Sequence, residues 1–490
     1  MILQIINHTY KYESEKICRI YFPAEKIIFV CDSEELPQDE KTVSTLIKED
    51  EKGVEFFCKA EISGRTSEYS VYYEKDESDC DSLRERYLAK AIIKVLTGLT
   101  GIVPPWGILT GVRPAKLMRK YINEKGTDAA RDIFTSFLEV SPEKTELAAN
   151  VAEYENACIA LSGKSSFSLY ISIPFCPTRC SYCSFVSHSI DKAKKLIPDY
   201  VKNLCAEIEE TAKTAKELGL SLETVYMGGG TPTSFSASDL KKITDALTSA
   251  FDMTRVREFT VEAGRPDTID EEKLIVLKNA GVTRISINPQ TFSDSVLQAI
   301  GRSHSAEDAV NKYKLARGLG FDNINMDFIA GLPTDSFESF KKTLDKAVLL
   351  SPENITVHTL ALKRSASIVT ENSVDTVCTE TELMVNYANR VLRENGYFPY
   401  YMYRQSKSVG NLENVGWCKK DTPCLYNIYM MEEIHTVLAV GGAAVTKLKN
   451  PDGEKLSRVY NFKYPYEYIT RFDEIIERKN EIRSFYRNIL

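Results

Sequence analysis

Residues 170–186 read YISIPFCPTRCSYCSFV: a β-rich run followed by Cys176, Cys180 and Cys183 within eight positions. Three thiols in one loop behind a strand are either part of a disulfide framework or a metal site, and the compartment decides between them. The opening stretch MILQIINHTYKYESEK breaks into charge before a signal-peptide core can form, and no window approaches the ~20 apolar residues of a membrane span. A cytoplasmic chain without a membrane span is therefore expected. A reducing cytosol keeps thiols reduced, so the 12 cysteines are not presumed disulfides, and the tight cluster among them points to metal. With 62 basic against 69 acidic residues and a formal charge of −7, no basic field invites nucleic acid, which is not an expected partner.

At 490 residues the chain exceeds one ordinary core. Residues 1–84 alternate short β-rich pieces (ICRIYF, KIIFVC, VEFFCKA, SEYSVYY) with acidic turns, the pattern of antiparallel hairpins in a small α+β module. Residues 85–162 turn helical, interrupted by GIVPPWGILTGVRP, and LSGKSSFS reads as a linker. From 165 to 372, six short β-rich runs (SLYISI, ETVYMG, EFTVEA, TRISIN, NINMDFI, NITVHTL) alternate with amphipathic helices over 191–217, 237–250, 270–280, 293–299 with 306–319, and 336–349. Strand and helix in series mean parallel strands with crossover helices. The unusual polar residues (the cysteines, GGGTP, Glu262, Asn288, Gln290, Asp327, His358) fall at or just after strand C-termini, where barrels build their active sites. The fold class is thus α/β, a partial (β/α)6 barrel with an N-terminal α+β region and a C-terminal α+β extension over 373–490.

The C-x3-C-x2-C spacing suits zinc poorly, because a tetrahedral site wants a fourth ligand and His188 is the only local candidate. Three thiolates suit a [4Fe–4S] cubane and leave one iron without a protein ligand. That iron is able to chelate the amino and carboxylate groups of S-adenosylmethionine, whose one-electron cleavage yields a 5′-deoxyadenosyl radical. A zinc clip or three incidental thiols remain the alternatives on spacing alone.

With Tyr182 before the last cysteine, CPTRCSYC resembles the motif of radical S-adenosylmethionine (SAM) enzymes, and YMGGGTPT (226–233), TVEAGRPD, SINPQTF (286–292), AIGRSHS (299–305) and NMDFIAGLPTD (325–335) follow in the order of that family's binding blocks. Together they resemble the oxygen-independent coproporphyrinogen III oxidase (dehydrogenase) family, related to haem chaperones and to anaerobic haem-opening methyltransferases. The likeness runs from about Ser165 to Lys449, and WGILTGVRP, EAGRPD and NLENVGW are similar to a longer-chain branch of that family. The resemblance implies a [4Fe–4S] cluster on Cys176, Cys180 and Cys183, and SAM surrounded by Tyr170, Tyr182, Gly229, Gly230, Thr231, Glu262, Gln290, Arg302 and Asp327. It further implies a tetrapyrrole substrate, a flavodoxin- or ferredoxin-like electron donor, and oxidative decarboxylation of propionates to vinyl groups. The chain departs from the family in three places: Ser172 replaces a usual histidine, Phe185 replaces a further cysteine, and about 165 unrelated residues precede the motif.

Four more residues are substrate candidates, each with a plainer alternative. Trp106 and Arg113, in PPWGILTGVRPAKLMRKY, line a groove for an anionic tetrapyrrole or cap a helix start. Arg265 pins a carboxylate or pairs with Asp267 or Glu262 and shapes its loop. His358, at a strand end, faces the substrate or makes one structural hydrogen bond. His435 is a haem-iron candidate under a chaperone reading.

Overall fold

A computed structural model describes residues 1–23, 25–31, 39, 41–75, 79–183, 188–361, 374–405, 408–453 and 455–487. Phe185 and the boundary expected at 372–373 lie outside the described residues. The chain divides into two compact units, Met1–Ala149 with Arg404–Leu412, and Asn150–Tyr403 with Glu413–Leu490.

The first unit holds a five-stranded sheet of β1 (Ile2–Ile6), β2 (Ile28–Cys31), β3 (Lys41–Glu49), β4 (Gly53–Ile62) and β5 (Arg65–Glu74), in the order β2-β1-β3-β4-β5. Only β3, β4 and β5 form the expected antiparallel meander; β1 runs parallel to both β2 and β3. ICRIYF, read above as a strand, belongs to a helix, Lys11–Tyr21. The reason is periodicity: Ser14, Ile17, Cys18 and Tyr21 recur at three- and four-residue spacing and are the buried face. The helix also supplies the crossover that the parallel β1 and β2 require.

In the second unit six strands follow one another in space as they do in sequence: β6 (Ser166–Ile173), β7 (Ser221–Gly229), β8 (Glu258–Gly264), β9 (Arg284–Ile287), β10 (Ile324–Ala330) and β11 (Asn354–Thr359). All five pairings are parallel. The expected βα units are present, with helices Ile197–Glu217, Ala237–Ala250, Glu271–Asn279, Ala306–Gly318 and Phe337–Leu350 between or after the strands. Side chains that compete with the backbone start them: Ser236, Asp270, Ser305 and Ser336 each accept from the N–H three residues on, and Ser305 with Asp308 completes a capping box. The six-stranded run is extended by β12 (Phe398–Arg404) and β13 (Glu413–Cys418) beyond β11, and by β14 (Thr436–Val440), β15 (Val445–Lys449) and β16 (Leu456–Tyr460) beyond β6. Among the described residues no helix is long and apolar enough to cross a membrane.

Register sorts the side chains of the six strands. Tyr170, Tyr226, Thr260 and Arg284 stand in one row across β6 to β9, and Glu262, Ser286 and Asn325 in the row toward the C-terminal ends. The opposite parity (Leu169, Ile171, Val225, Met227, Phe259, Val261, Ile285, Met326, Phe328) is apolar and buried. Period-two alternation thus turns one face of every strand into core and the other into a connected polar lining.

Candidate functional site

The lining begins with an aromatic stack. Tyr226 lies 6.2 Å from Tyr170 and 4.5 Å from Tyr426, with interplanar angles of 21° and 23°. Tyr426 comes from a distant helix, Leu425–Glu432, whose first amides donate to the buried Glu258 carboxylate at 2.7 and 3.2 Å. Sequence reasoning missed Tyr226 and Tyr426. The Tyr170/Tyr226 parity was available, whereas nothing local marks Tyr426.

Above the stack stands Glu262, accepting from Tyr226 Oη at 2.5 Å and from the Gly229 amide at 3.3 Å. Burial, opposed by the Tyr226 hydrogen bond and reinforced by the nearby Asp327 charge, pushes its carboxyl up to about 7. Asp327 behaves oppositely: burial would raise it, but His358 and the Asn325 amide outweigh that and hold it below the usual carboxylate value. Asn325 Nδ2 donates to Asp327 at 2.7 Å, His358 Nε2 lies 3.8 Å from the other carboxylate oxygen, and Nδ1 is 3.3 Å from Tyr403 Oη. Glu262, Asp327 and His358, all expected at strand ends, are brought together.

The glycine loop is laced to the cysteine strand. Gly230 N donates to the Ile173 carbonyl at 2.8 Å and Thr231 N to the Phe175 carbonyl at 2.7 Å, while Thr231 Oγ1 lies 3.5 Å from Cys176 Sγ. A Cβ at Gly228 would meet the Glu262 carboxyl at 2.8 Å, and one at Gly229, where φ is +106°, would meet Tyr170 Oη at 3.2 Å. Ser172 donates to the Gly442 carbonyl at 2.7 Å, tying the Gly441–Gly442 turn after β14 to the same strand.

Around the cysteine loop, Arg302 donates to Tyr182 Oη at 2.8 Å, leaving its Nε and Nη1 without a partner among the described residues. Gln290 is held in the left-handed region (φ +70°) by backbone bonds to Asp327 and Ile329, and its buried Oε1 also lacks a partner among the described residues. The donor set therefore offers carboxylates and an amide oxygen to an ammonium or hydroxyls, and a guanidinium to a carboxylate, which are the polar groups of a nucleoside-bearing amino acid. Three thiols in one loop suit an iron–sulfur cluster. Among the described residues no three His, Cys, Asp or Glu side chains gather as ligands of a single ion would. A cubane asks for less convergence, because each thiolate takes its own iron.

Other candidates fall elsewhere. Trp106 is fully buried in the first unit beneath the Arg404 guanidinium, 5.5 Å from its ring, and Arg404 in turn bonds the Leu109 carbonyl at 2.6 Å. It serves that unit's core rather than lining a groove, because no face of its ring reaches solvent. Arg113 is half-buried at the N-cap of helix Pro114–Lys125. Arg265 is 3% exposed and paired two-pronged with Asp267, so the plainer alternative applies: a guanidinium spent inside the protein is not presented to a substrate. His435 bridges Ser162 and Ser168 at 3.0 and 2.7 Å, which occupies both ring nitrogens and removes it as an iron ligand.

Residues 170–347 match the Radical SAM superfamily. The chain is 35% identical over 426 residues to the oxygen-independent coproporphyrinogen-III oxidase-like protein HemZ of Bacillus subtilis (strain 168), covering 85% of each chain. It is 38% identical over 198 residues to the haem chaperone HemW of the same organism, covering 40% of this chain and 51% of that one. The solved structure of coproporphyrinogen III oxidase (HemN) from Escherichia coli aligns with 66% of this chain and 72% of its own, at 21% identity and a TM-score of 0.49. The chain belongs to the oxygen-independent coproporphyrinogen-III oxidase-like family of radical SAM proteins. The cofactors of that superfamily are a [4Fe–4S] cluster and S-adenosylmethionine.

Glu262 supplies a test of its own. Burial raises its carboxyl from the ordinary 4.5 to about 7 in the folded chain, so the folded form binds the proton more tightly; the stability this brings is present below about pH 4 and lost as pH rises through about 7. Cofactor-free Glu262→Gln never ionises there and is expected to exceed wild type at pH 8 by up to about 3 kcal/mol in denaturant unfolding, with most of the gap closed at pH 5. Binding of SAM should move the other way, weakening in the variant. A variant less stable than wild type at pH 8 would mean that the carboxylate serves the fold.

Proposed function

We propose that this protein is a radical SAM enzyme that converts propionate side chains of coproporphyrinogen III to vinyl groups. The observation that carries the substrate is the likeness over 85% of both chains to an oxygen-independent coproporphyrinogen-III oxidase-like protein. When bound, the cluster and SAM supply a 5′-deoxyadenosyl radical that takes one hydrogen atom from the propionate. The electron that SAM cleavage consumes would come from a one-electron donor of the flavodoxin or ferredoxin kind, and the propionate, having given up the hydrogen, would also lose carbon dioxide and pass one electron to a separate one-electron acceptor. Cys176, Cys180 and Cys183 hold the cluster. Glu262 and the Gly229–Thr231 backbone receive the methionine ammonium, Arg302 its carboxylate, and Asp327 with Gln290 the ribose hydroxyls, flanked by Tyr170 and Tyr182. That arrangement fixes the reacting carbon at one place in the polar lining and keeps water from it. His358, backed by Tyr403, is the substrate-side contact.

A second reading, a haem-binding chaperone, is favoured by the 38% identity to HemW over the segment they share. It would need an iron ligand other than His435. Anaerobic incubation with coproporphyrinogen III separates the two: the enzyme releases carbon dioxide and 5′-deoxyadenosine in step with vinyl product, whereas a chaperone gives neither and shows a Soret band on titration with haem. Release of 5′-deoxyadenosine only with haem, accompanied by ring opening, would instead make it a haem-degrading enzyme.

A further inference from the structure

Each arm of the Arg265 guanidinium has a definite partner. Nε and Nη2 donate to the two Asp267 oxygens at 3.0 and 2.8 Å. Nη1, on another edge of the plane, donates to Thr178 Oγ1 at 2.8 Å and to the Thr178 carbonyl at 3.3 Å, and reaches the Cys180 sulfur at 3.9 Å. Thr178 and Cys180 belong to the cysteine loop, while Arg265 and Asp267 follow β8. Cys180 is also the most buried of the three loop cysteines, at 8% exposure. A loop with little regular structure is thereby tied, at its middle thiol, to the rigid end of a barrel strand. The tie is planar and bidentate, which an ammonium cannot reproduce.

We propose that Arg265, aimed by Asp267, is a positioning residue for the cysteine loop: it fixes the chain from Thr178 to Cys180 and directs positive charge at the Cys180 sulfur, so that a cluster held there is reduced more readily. This rests on the reading that Cys176, Cys180 and Cys183 ligate the cluster. Reduction brings one electron from an external one-electron carrier and adds one negative charge to the cluster and its thiolates. A cation and an N–H donor at one sulfur stabilise that added charge, and hydrogen bonds to sulfur and local charge are among the levers that set cluster potentials. The Asp267 carboxylate, bound on another edge, holds the guanidinium in place without standing between it and the sulfur.

The test uses anaerobically reconstituted full-length protein, with iron content and the cluster's midpoint potential, from reductive titration followed by electron paramagnetic resonance, as readouts. Arg265→Met should keep its iron but titrate at a lower potential, so that at a poise where wild type is half reduced, the reduced fraction falls several-fold. Arg265→Lys should recover part of the potential, having the charge without the fork. If Arg265→Met takes up no iron, Arg265→Gln gives the same readout, because a neutral polar side chain removes the charge from the sulfur while leaving Asp267 in place, and the potential again falls. A residue that merely stabilised the loop would lower the melting temperature and leave the midpoint unchanged, and loaded variants with the wild-type midpoint overturn the proposal. Wild type that assembles no cluster, or Cys180→Ala that keeps one, defeats the cluster assignment and the clamp with it.

Discussion

Alanine at Cys176, Cys180 or Cys183 is expected to empty the protein of its cluster: reconstituted wild type should hold about four irons, and each single variant close to none, with SAM cleavage lost in step. The loop provides three thiols for four irons, so each removal leaves two protein ligands and two irons without one. The other cysteines give the contrast. Cys418 donates to Tyr154 Oη at 3.5 Å and Cys424 to Glu258 at 3.3 Å, and burial pushes the Cys418 thiol up to about 12 and the Cys424 thiol higher still. A thiol that stays protonated is a poor iron ligand. Alanine at Cys418, Cys424 or the helical Cys205 should therefore leave iron content unchanged. Iron that survives loss of a loop cysteine, or tightly bound zinc without charge-transfer absorption, would refute the assignment.

The second large effect is expected at Gly230. A Cβ there would stand 2.5 Å from the Phe175 carbonyl oxygen and 2.7 Å from that of Ile173, and backbone cannot swing aside as a side chain does. Gly230→Ala should thus prise the glycine loop from the cysteine strand, weakening SAM binding by about 100-fold or more, on the order of 3 kcal/mol, and lowering iron uptake as well, because Cys176 follows the displaced residues. Gly229→Val is the informative partner. Its Cβ meets the side chains of Tyr170 and Ser172 at 3.2 and 3.3 Å, so the cost is a strained φ and a filled cradle. Iron content should stay at the wild-type level while SAM affinity, read by isothermal calorimetry, falls. A Gly229→Val variant that bound SAM normally would mean that the loop is an ordinary turn.

Much of the barrel was legible in the chain because its determinants are local. The SLYISI run announces both its strand and, by alternation, which side chains face the polar lining; Ser and Asp before the helices announce their starts; and the cysteine spacing and GGGTP sit directly behind strands. The helix Lys11–Tyr21 was misread because its β-branched and aromatic residues suit either structure, and only the burial of Ser14, Ile17, Cys18 and Tyr21 on one face decides for helix.

The sequence by itself determined the order of the βα units, the thiol loop and the carboxylates at the strand ends, since each depends on residues a few positions apart. The tertiary structure decided what those residues meet. Tyr426 enters the aromatic stack from a helix some 200 residues after Tyr226, and Arg404 covers Trp106 from nearly 300 residues away. His435 is locked between two serines, and Arg265 is turned toward Asp267 and Cys180. A guanidinium or an imidazole has no preferred partner in its own sequence neighbourhood; once buried, it must satisfy its donors with whatever oxygen or sulfur packing brings within about 3 to 4 Å, and only the folded chain specifies that.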